Sequence, residues 1–126
     1  VIEVLAPADL PAPVGPYSHG VRAAGLVFCA GQLALDTRTS APLAELSAGE
    51  QTRIVLANLA ATLRAAGSSL EQVVRTTVCL ADLDDYAEMN EAYREAFGDL
   101  RPARATLEVS RLIGGLKVEI DAIAVA

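Results

Sequence analysis

The feature that most constrains the fold is period-two alternation in the second half of the chain. In Val73–Leu80, Val74, Thr76, Val78 and Leu80 alternate with Arg75, Thr77 and Cys79. In Leu116–Val125, Val118, Ile120 and Ala122 alternate with Lys117, Glu119 and Asp121. In Ala103–Val109, Arg104, Thr106 and Glu108 take one face, and Ala105, Leu107 and Val109 the other. Successive side chains of a strand point to opposite faces, so each stretch is predicted as a strand. A sheet of such strands has an apolar face that must be covered.

Helical spacing elsewhere supplies the cover. Ser47-Ala48-Gly49-Glu50 is a capping box, with Ser at the N-cap and Glu three residues on. Leu56, Leu59, Leu63 and Ala66 follow on one stripe, with Val55 beside it, and Gly67 stops the helix. A second helix is predicted from Asp84-Asp85, where acids meet the positive end of the helix dipole. It carries Tyr86, Met89, Tyr93 and Phe97 on its apolar stripe and ends at Gly98.

Upstream, Ile2–Leu5 is a short strand candidate. Pro7, Pro11, Pro13 and Pro16 make the next segment an extended, loop-like approach. Val21–Ala24 and Leu26–Cys29 flank Gly25 as two strands and a tight turn. Leu33–Ala44 is rich in turn residues and is expected as a surface loop, and Gly114-Gly115 turns the chain before the last strand. The predicted order is β-β-β-α-β-α-β-β. This is an α+β fold, a mixed sheet with two helices packed on one face, in a single domain spanning 1–126.

The other face of that sheet also needs a partner. The chain is 52% hydrophobic, with abundant Val, Leu and Ile for its size. A small domain with such an excess exposes patches or covers them with copies of itself, so self-association is expected.

Charge and residue counts exclude several functions. A net charge of −6 repels a phosphate backbone, and an aromatic fraction of 4% without Trp leaves few side chains on which bases could stack. Nucleic acid is not expected as the primary partner. Cys29 and Cys79 lie in separate strands without a CxxC pair, which suits reduced, buried thiols rather than a disulfide framework. With one histidine, His19, a His-rich zinc site is impossible, and no metal site is expected. No apolar run is long enough to span a bilayer, and the first residues lack a charged-then-apolar leader pattern. A soluble, cytoplasmic protein without membrane contact is the expectation. Phosphate-binding loops, HExxH and the GxSxG elbow are all missing.

Four features remain for chemistry. Arg104, just inside a strand and behind Pro102, is either half of a surface ion pair or a grip for a carboxylate, which a guanidinium holds by two parallel hydrogen bonds. Glu119 belongs either to a solvated strand face or to an acid–base site. Gly15-Pro16 forms a turn that directs Tyr17 either over the core edge or into a pocket. Asn90, on the same helical face as Tyr86, Tyr93 and Phe97, either caps core backbone groups or helps hold a site. His19 alone reads as a structural or solvent-facing residue.

These residues belong to a longer series. It runs Gly15-Pro16-Tyr17-Ser18, Ala30-Gly31-Gln32, Gln51-Thr52-Arg53 with Asn58-Leu59, and Ala65-Ala66-Gly67-Ser68-Ser69-Leu70. It continues with Val74-Arg75-Thr76-Thr77-Val78, Met89-Asn90-Glu91-Ala92-Tyr93, Arg101-Pro102-Ala103-Arg104-Ala105-Thr106 and Lys117-Val118-Glu119-Ile120. In this order and spacing the chain resembles, over nearly its whole length, the RidA (YjgF-type) family of reactive enamine/imine deaminases. The resemblance implies a chorismate-mutase-like fold and a homotrimer with a barrel-like core and ligand clefts at the subunit interfaces. It implies hydrolysis of 2-imino acids and their 2-aminoacrylate-type enamine tautomers to 2-oxo acids and ammonia, a form of metabolite damage control, with no cofactor.

The family's carboxylate-gripping arginine falls on Arg104, its water-positioning glutamate on Glu119, its pocket tyrosine on Tyr17 and its helical asparagine on Asn90. Ala30, Gly31 and Thr106 fall in the implied pocket. Three positions depart from the common pattern: Ala30 where Ser is frequent, Thr106 where Cys is frequent, and His19 where Gln is frequent. Ala30 removes a hydrogen bond from the pocket, whereas Thr106 keeps a polar group of similar size. Two alternatives stay open: a non-catalytic trimer that binds small carboxylates or acts as a chaperone-like surface, and a ribonuclease or translation inhibitor.

Overall fold

A computed structural model describes residues 1–126. The strands are β1 (Glu3–Leu5), β2 (Gly20–Ala23), β3 (Leu26–Gln32), β4 (Val73–Leu80), β5 (Ala103–Glu108) and β6 (Val118–Val125). The helices are α1 (Ala48–Ala65), between β3 and β4, and α2 (Tyr86–Phe97), between β4 and β5. The six strands form one sheet in the order β1-β2-β3-β6-β4-β5. The β4–β5 pair is parallel and every other pair antiparallel, so the sheet is mixed, as the element order requires. No helix is long and apolar enough to cross a membrane.

Both helices cover one face. Val118, Ile120, Ala122 and Ala124 of β6 pack against Val55, Leu56, Leu59 and Leu63 of α1 and Met89, Tyr93 and Phe97 of α2 in a single core cluster. Each fully buried Leu or Val contributes about 1.5–3 kcal/mol of burial free energy, which makes this layer the main support of the fold. The capping box forms as expected: Glu50 N–H donates to Ser47 Oγ and Ser47 N–H to Glu50 Oε1, each at 3.1 Å. The hairpin from β2 to β3 turns on Ala24 and Gly25, both at positive φ (53° and 76°), the pairing a two-residue type I′ turn needs.

Three expectations are corrected. Val74 does not share the buried face of Thr76, Val78 and Leu80. The register of β4 on β6 shifts between Val73 and Arg75, so Val73 enters the core and Val74 is left 46% exposed. An extra residue at such a bulge flips the alternation upstream of it. The second helix begins at Tyr86 rather than at Asp84-Asp85. Those acids lie in a single 3-10 turn, Leu83–Asp85, capped by the Asp82 carboxylate, which accepts from Asp84 N–H at 2.8 Å. The segment after β3 is not wholly superficial. Leu33, Ala34 and Leu35 are buried in a small second cluster with Leu116, and Leu43, Ala44 and Ile54 pack against it.

Candidate functional site

Arg104 lies on the helix-covered face of the sheet. It pairs with Thr76 across the parallel β4–β5 ladder, and its guanidinium reaches under α2. There Nη1 donates to Asn90 Oδ1 and Nη2 to the Tyr86 hydroxyl, each at 2.8 Å. The guanidinium carbon sits 4.8 Å from the Tyr93 ring centroid and 5.6 Å from that of Tyr86. Tyr93 is fixed in turn, because its hydroxyl shares a 2.8 Å hydrogen bond with Thr76 Oγ1. A planar cation on an aromatic face gains quadrupole attraction and keeps its remaining donors free. No carboxylate neutralises Arg104, so the ion-pair reading fails within the chain.

Beside the guanidinium opens a cleft of about 300 Å³, lined by Asn90, Tyr93, Phe97, Pro102 and Arg104, with Arg94, Leu100 and Arg101 completing the wall. Thr106, on the same face as Arg104, has its Oγ1 buried without a hydrogen-bond partner. A buried polar atom left unpaired is an uncommon feature and invites a ligand or water.

The remaining candidates gather elsewhere. Glu119 alternates with the core residues Val118 and Ile120, so it points to the sheet face that carries no helix. It sits opposite Cys79 in the β4–β6 register and beside Gly31, where a Cβ would come within 2.9 Å of the Glu119 carboxyl carbon. Gly31 is therefore needed for Glu119 to lie flat on the strand. Burial, and secondarily the charge of Asp121, raise the Glu119 pKa above the usual carboxylate value. The same neighbourhood raises the Cys79 thiol, chiefly through burial and then through Glu119 and Asp121. Burial pushes Cys29 up to about 12, and both cysteines are free thiols.

Tyr17 and Gly31 line a small pocket together with His19 and Gln32. Tyr17 is 45% exposed, and its hydroxyl accepts from Val14 N–H at 3.3 Å. His19 is buried, with Nε2 donating to Pro11 O at 2.8 Å and Nδ1 accepting from the Gln32 amide at 3.1 Å. Its backbone carbonyl accepts from Ala30 N–H at 2.9 Å, which ties the Pro-rich approach to β3.

The sequence candidates thus fall into two groups on opposite sides of one sheet. Arg104, Asn90 and Thr106 form the first; Glu119, Gly31, Ala30 and Tyr17 form the second. Tyr86 and Tyr93 set the orientation of Arg104, a role that the helical spacing alone, which places them on the apolar stripe, does not reveal. The one signal for it is that they lie four residues before and three after Asn90 on one helical face. No three His, Cys, Asp or Glu side chains converge in a metal-ligand arrangement.

Fold and site together define a class: a small α+β domain that offers an unpaired, aromatic-backed arginine in an open cleft, with a raised-pKa carboxylate on its bare sheet face. Comparison with known proteins places it further. Residues 8–126 match the family model described as Endoribonuclease L-PSP. The chain is 45% identical over 122 residues to a RutC family protein of Pyrococcus horikoshii, covering 97% of this chain and 96% of that one. It is 40% identical over 123 residues to the mouse 2-iminobutanoate/2-iminopropanoate deaminase, covering 98% and 90%. Among solved structures, RidA from an Antarctic Psychrobacter superposes with a TM-score of 0.91 at 35% identity, covering 98% and 99%. TdcF of E. coli, solved with bound serine, does so at 0.91 and 33%, covering 98% of each chain. The chain belongs to the RidA (YjgF-type) family.

Proposed function

We infer that this protein hydrolyses reactive 2-imino acids, and the enamines in equilibrium with them, to 2-oxo acids and ammonia. The observation that carries the reading is the Arg104 guanidinium, oriented by Asn90, Tyr86 and Tyr93 and facing an open cleft with no carboxylate partner. In a chain of net charge −6, that arrangement is suited to a small organic acid. The mouse relative's name as a 2-imino acid deaminase and the serine bound to TdcF support a small amino-acid-derived ligand.

Arg104 holds the substrate carboxylate and fixes the imine carbon in place. An imine carbon is already electrophilic, so positioning supplies much of the catalysis. Glu119 takes a proton from water as its oxygen adds to C2 and returns it to nitrogen, giving a carbinolamine; it then carries the carbinolamine hydroxyl proton to nitrogen as the C2 carbonyl forms. The C–N bond breaks and ammonia leaves, so the net change is one water consumed. A carboxylate whose pKa is raised by burial holds a proton more readily than an ordinary surface Glu, which suits a group that must both take and return one.

Arg104 and Glu119 cannot meet within one copy, because they lie on opposite sheet faces. We therefore assign the complete site to the junction of two copies in a homotrimer, with sheets packed as a barrel-like core. The bare face supports this: Val4, Phe28, Leu107 and Val125 stand on it or at its rim with 61%, 43%, 43% and 42% exposure. Such a patch is of the kind that interfaces cover. Tyr17, Ala30 and Gly31 then line the cleft from the Glu119 side.

An RNA-cleaving role fits the site less well. The one histidine is buried with both ring nitrogens occupied, which leaves no histidine acid–base pair. A binder without turnover is separated by assay. An amino-acid oxidase generates a 2-imino acid in the presence of purified protein, and release of the 2-oxo acid is followed. Acceleration above the spontaneous rate is expected; saturable binding of a 2-oxo acid with no acceleration would favour the binder.

A further inference from the structure

The cleft beside Arg104 holds a second guanidinium that the reading above does not use. Arg101 lies three residues upstream in the same extended approach to β5. Its Nη1 donates to Gly98 O at 2.6 Å and to Leu100 O at 2.8 Å, so two backbone carbonyls brace it at the cleft wall. Neither carbonyl carries a formal charge, and Arg101 forms no salt bridge. Arg94, the third cation on the wall, is differently placed, because Glu91 pairs with it at 3.1 Å. Arg101 and Arg104 therefore present two uncompensated positive charges to one cavity, with Phe97 and Pro102 among its lining residues. In a chain with six more acids than bases, this cluster runs against the overall charge.

A ligand with one carboxylate satisfies Arg104 and leaves Arg101 facing solvent. A ligand with a carboxylate at each end of a short carbon chain satisfies both, with its methylenes against Phe97 and Pro102. Arg is suited to this because the braced guanidinium keeps further donors for a carboxylate. We propose that Arg101 is a specificity residue that selects 2-imino acids carrying a second carboxylate, the imines formed by oxidation of acidic amino acids. The inference rests on the imine-hydrolase reading and extends it to a substrate class. The chemistry is unchanged: water adds at C2, the C–N bond breaks and ammonia leaves, while the distal carboxylate takes no part.

The test compares kcat/KM for imines generated by enzymatic oxidation of aspartate or glutamate with those from alanine or 2-aminobutyrate. The expected result is a preference of the unmodified protein for the dicarboxylic imines of about tenfold, on the order of a charge-assisted contact. Arg101→Gln should erase that preference and Arg101→Glu reverse it. A purely structural Arg101 would lower both rates together and leave the ratio intact. Equal use of the two classes by the unmodified protein, or a preference that survives Arg101→Gln, would overturn the inference. If no imine is hydrolysed, the hydrolase reading fails. The same ratio, read by calorimetric binding of 2-oxoglutarate against 2-oxobutyrate, then decides the role of Arg101 on its own.

Discussion

Arg104 and Glu119 lie on opposite faces of the same sheet, Arg104 under α2 beside Asn90 and Tyr86, Glu119 on the face without helices beside Gly31. The parity of the strands causes this. Arg104 is in register with Thr76, whose side chain is buried, whereas Glu119 is in register with Cys79, one step out of phase with the buried Val78 and Leu80. A one-residue slip would bring them together but would expose the core face of β6, so the separation is enforced by packing.

The pH dependence should report Glu119. Its pKa is raised first by burial and second by the negative charge of Asp121. In its proposed role as proton acceptor it works only when ionised, so activity should rise with pH through that raised pKa. Asp121→Asn removes the repulsion, makes ionisation easier and should move the acid limb to lower pH. A pH profile of kcat/KM for both proteins checks this, and a limb that moved upward would contradict it.

Gly31→Ala should act on Glu119 rather than on the fold. The added Cβ would stand 2.9 Å from the Glu119 carboxyl carbon, and the side chain must swing away. A misplacement of about 1 Å of a catalytic group costs on the order of 10²-fold in rate. Thermal denaturation should change little, while imine hydrolysis falls.

Phe28→Asp should dissociate the proposed trimer. Phe28 is 43% exposed on the bare face, opposite Ile123 of β6. A charge buried there without a partner is strongly unfavourable at an interface. Sedimentation velocity should show a shift from trimer toward monomer, with activity lost in parallel; an unchanged mass would place the interface elsewhere.

Ser47→Ala should cost about 1 kcal/mol of stability, the usual loss for an N-cap side chain. Its hydroxyl accepts from Glu50 N–H at the head of α1, away from the cleft. Urea denaturation measures the loss, and catalytic constants of the folded protein should be unaffected.

Much of this was legible in the sequence because local rules and tertiary packing agree. The α1 stripe of Leu56, Leu59 and Leu63, the capping box at Ser47 and the alternation of β6 all survive into the fold. Val74 leaves the core face because of a bulge, which inserts a residue without leaving a mark in an alternating pattern. Leu33 to Leu35 form a buried apolar triplet that the turn-rich composition downstream of it masks. At the site, Asn90 stood out as a polar residue in an apolar stripe. Tyr86 and Tyr93 did not, since an aromatic that backs a guanidinium and one that fills a core have the same spacing. The partition of candidates between two sheet faces needed the register of β4 with both neighbours, which no single segment contains.

The most direct test of the shared site mixes two inactive proteins. Arg104→Ala and Glu119→Gln should each lower imine hydrolysis, the latter by ~10²–10⁴-fold as for loss of a general acid–base group. Co-expressed in equal amounts, the two variants should form mixed copies of the proposed trimer. Junctions that pair the intact Arg104 of one copy with the intact Glu119 of another should then recover about a quarter of the unmodified activity, as random pairing across a symmetric interface requires. Recovery near that level is the predicted result. Full activity in either single variant, or a mixture that stays as inactive as its components, would contradict a site completed by Arg104 and Glu119 from different copies.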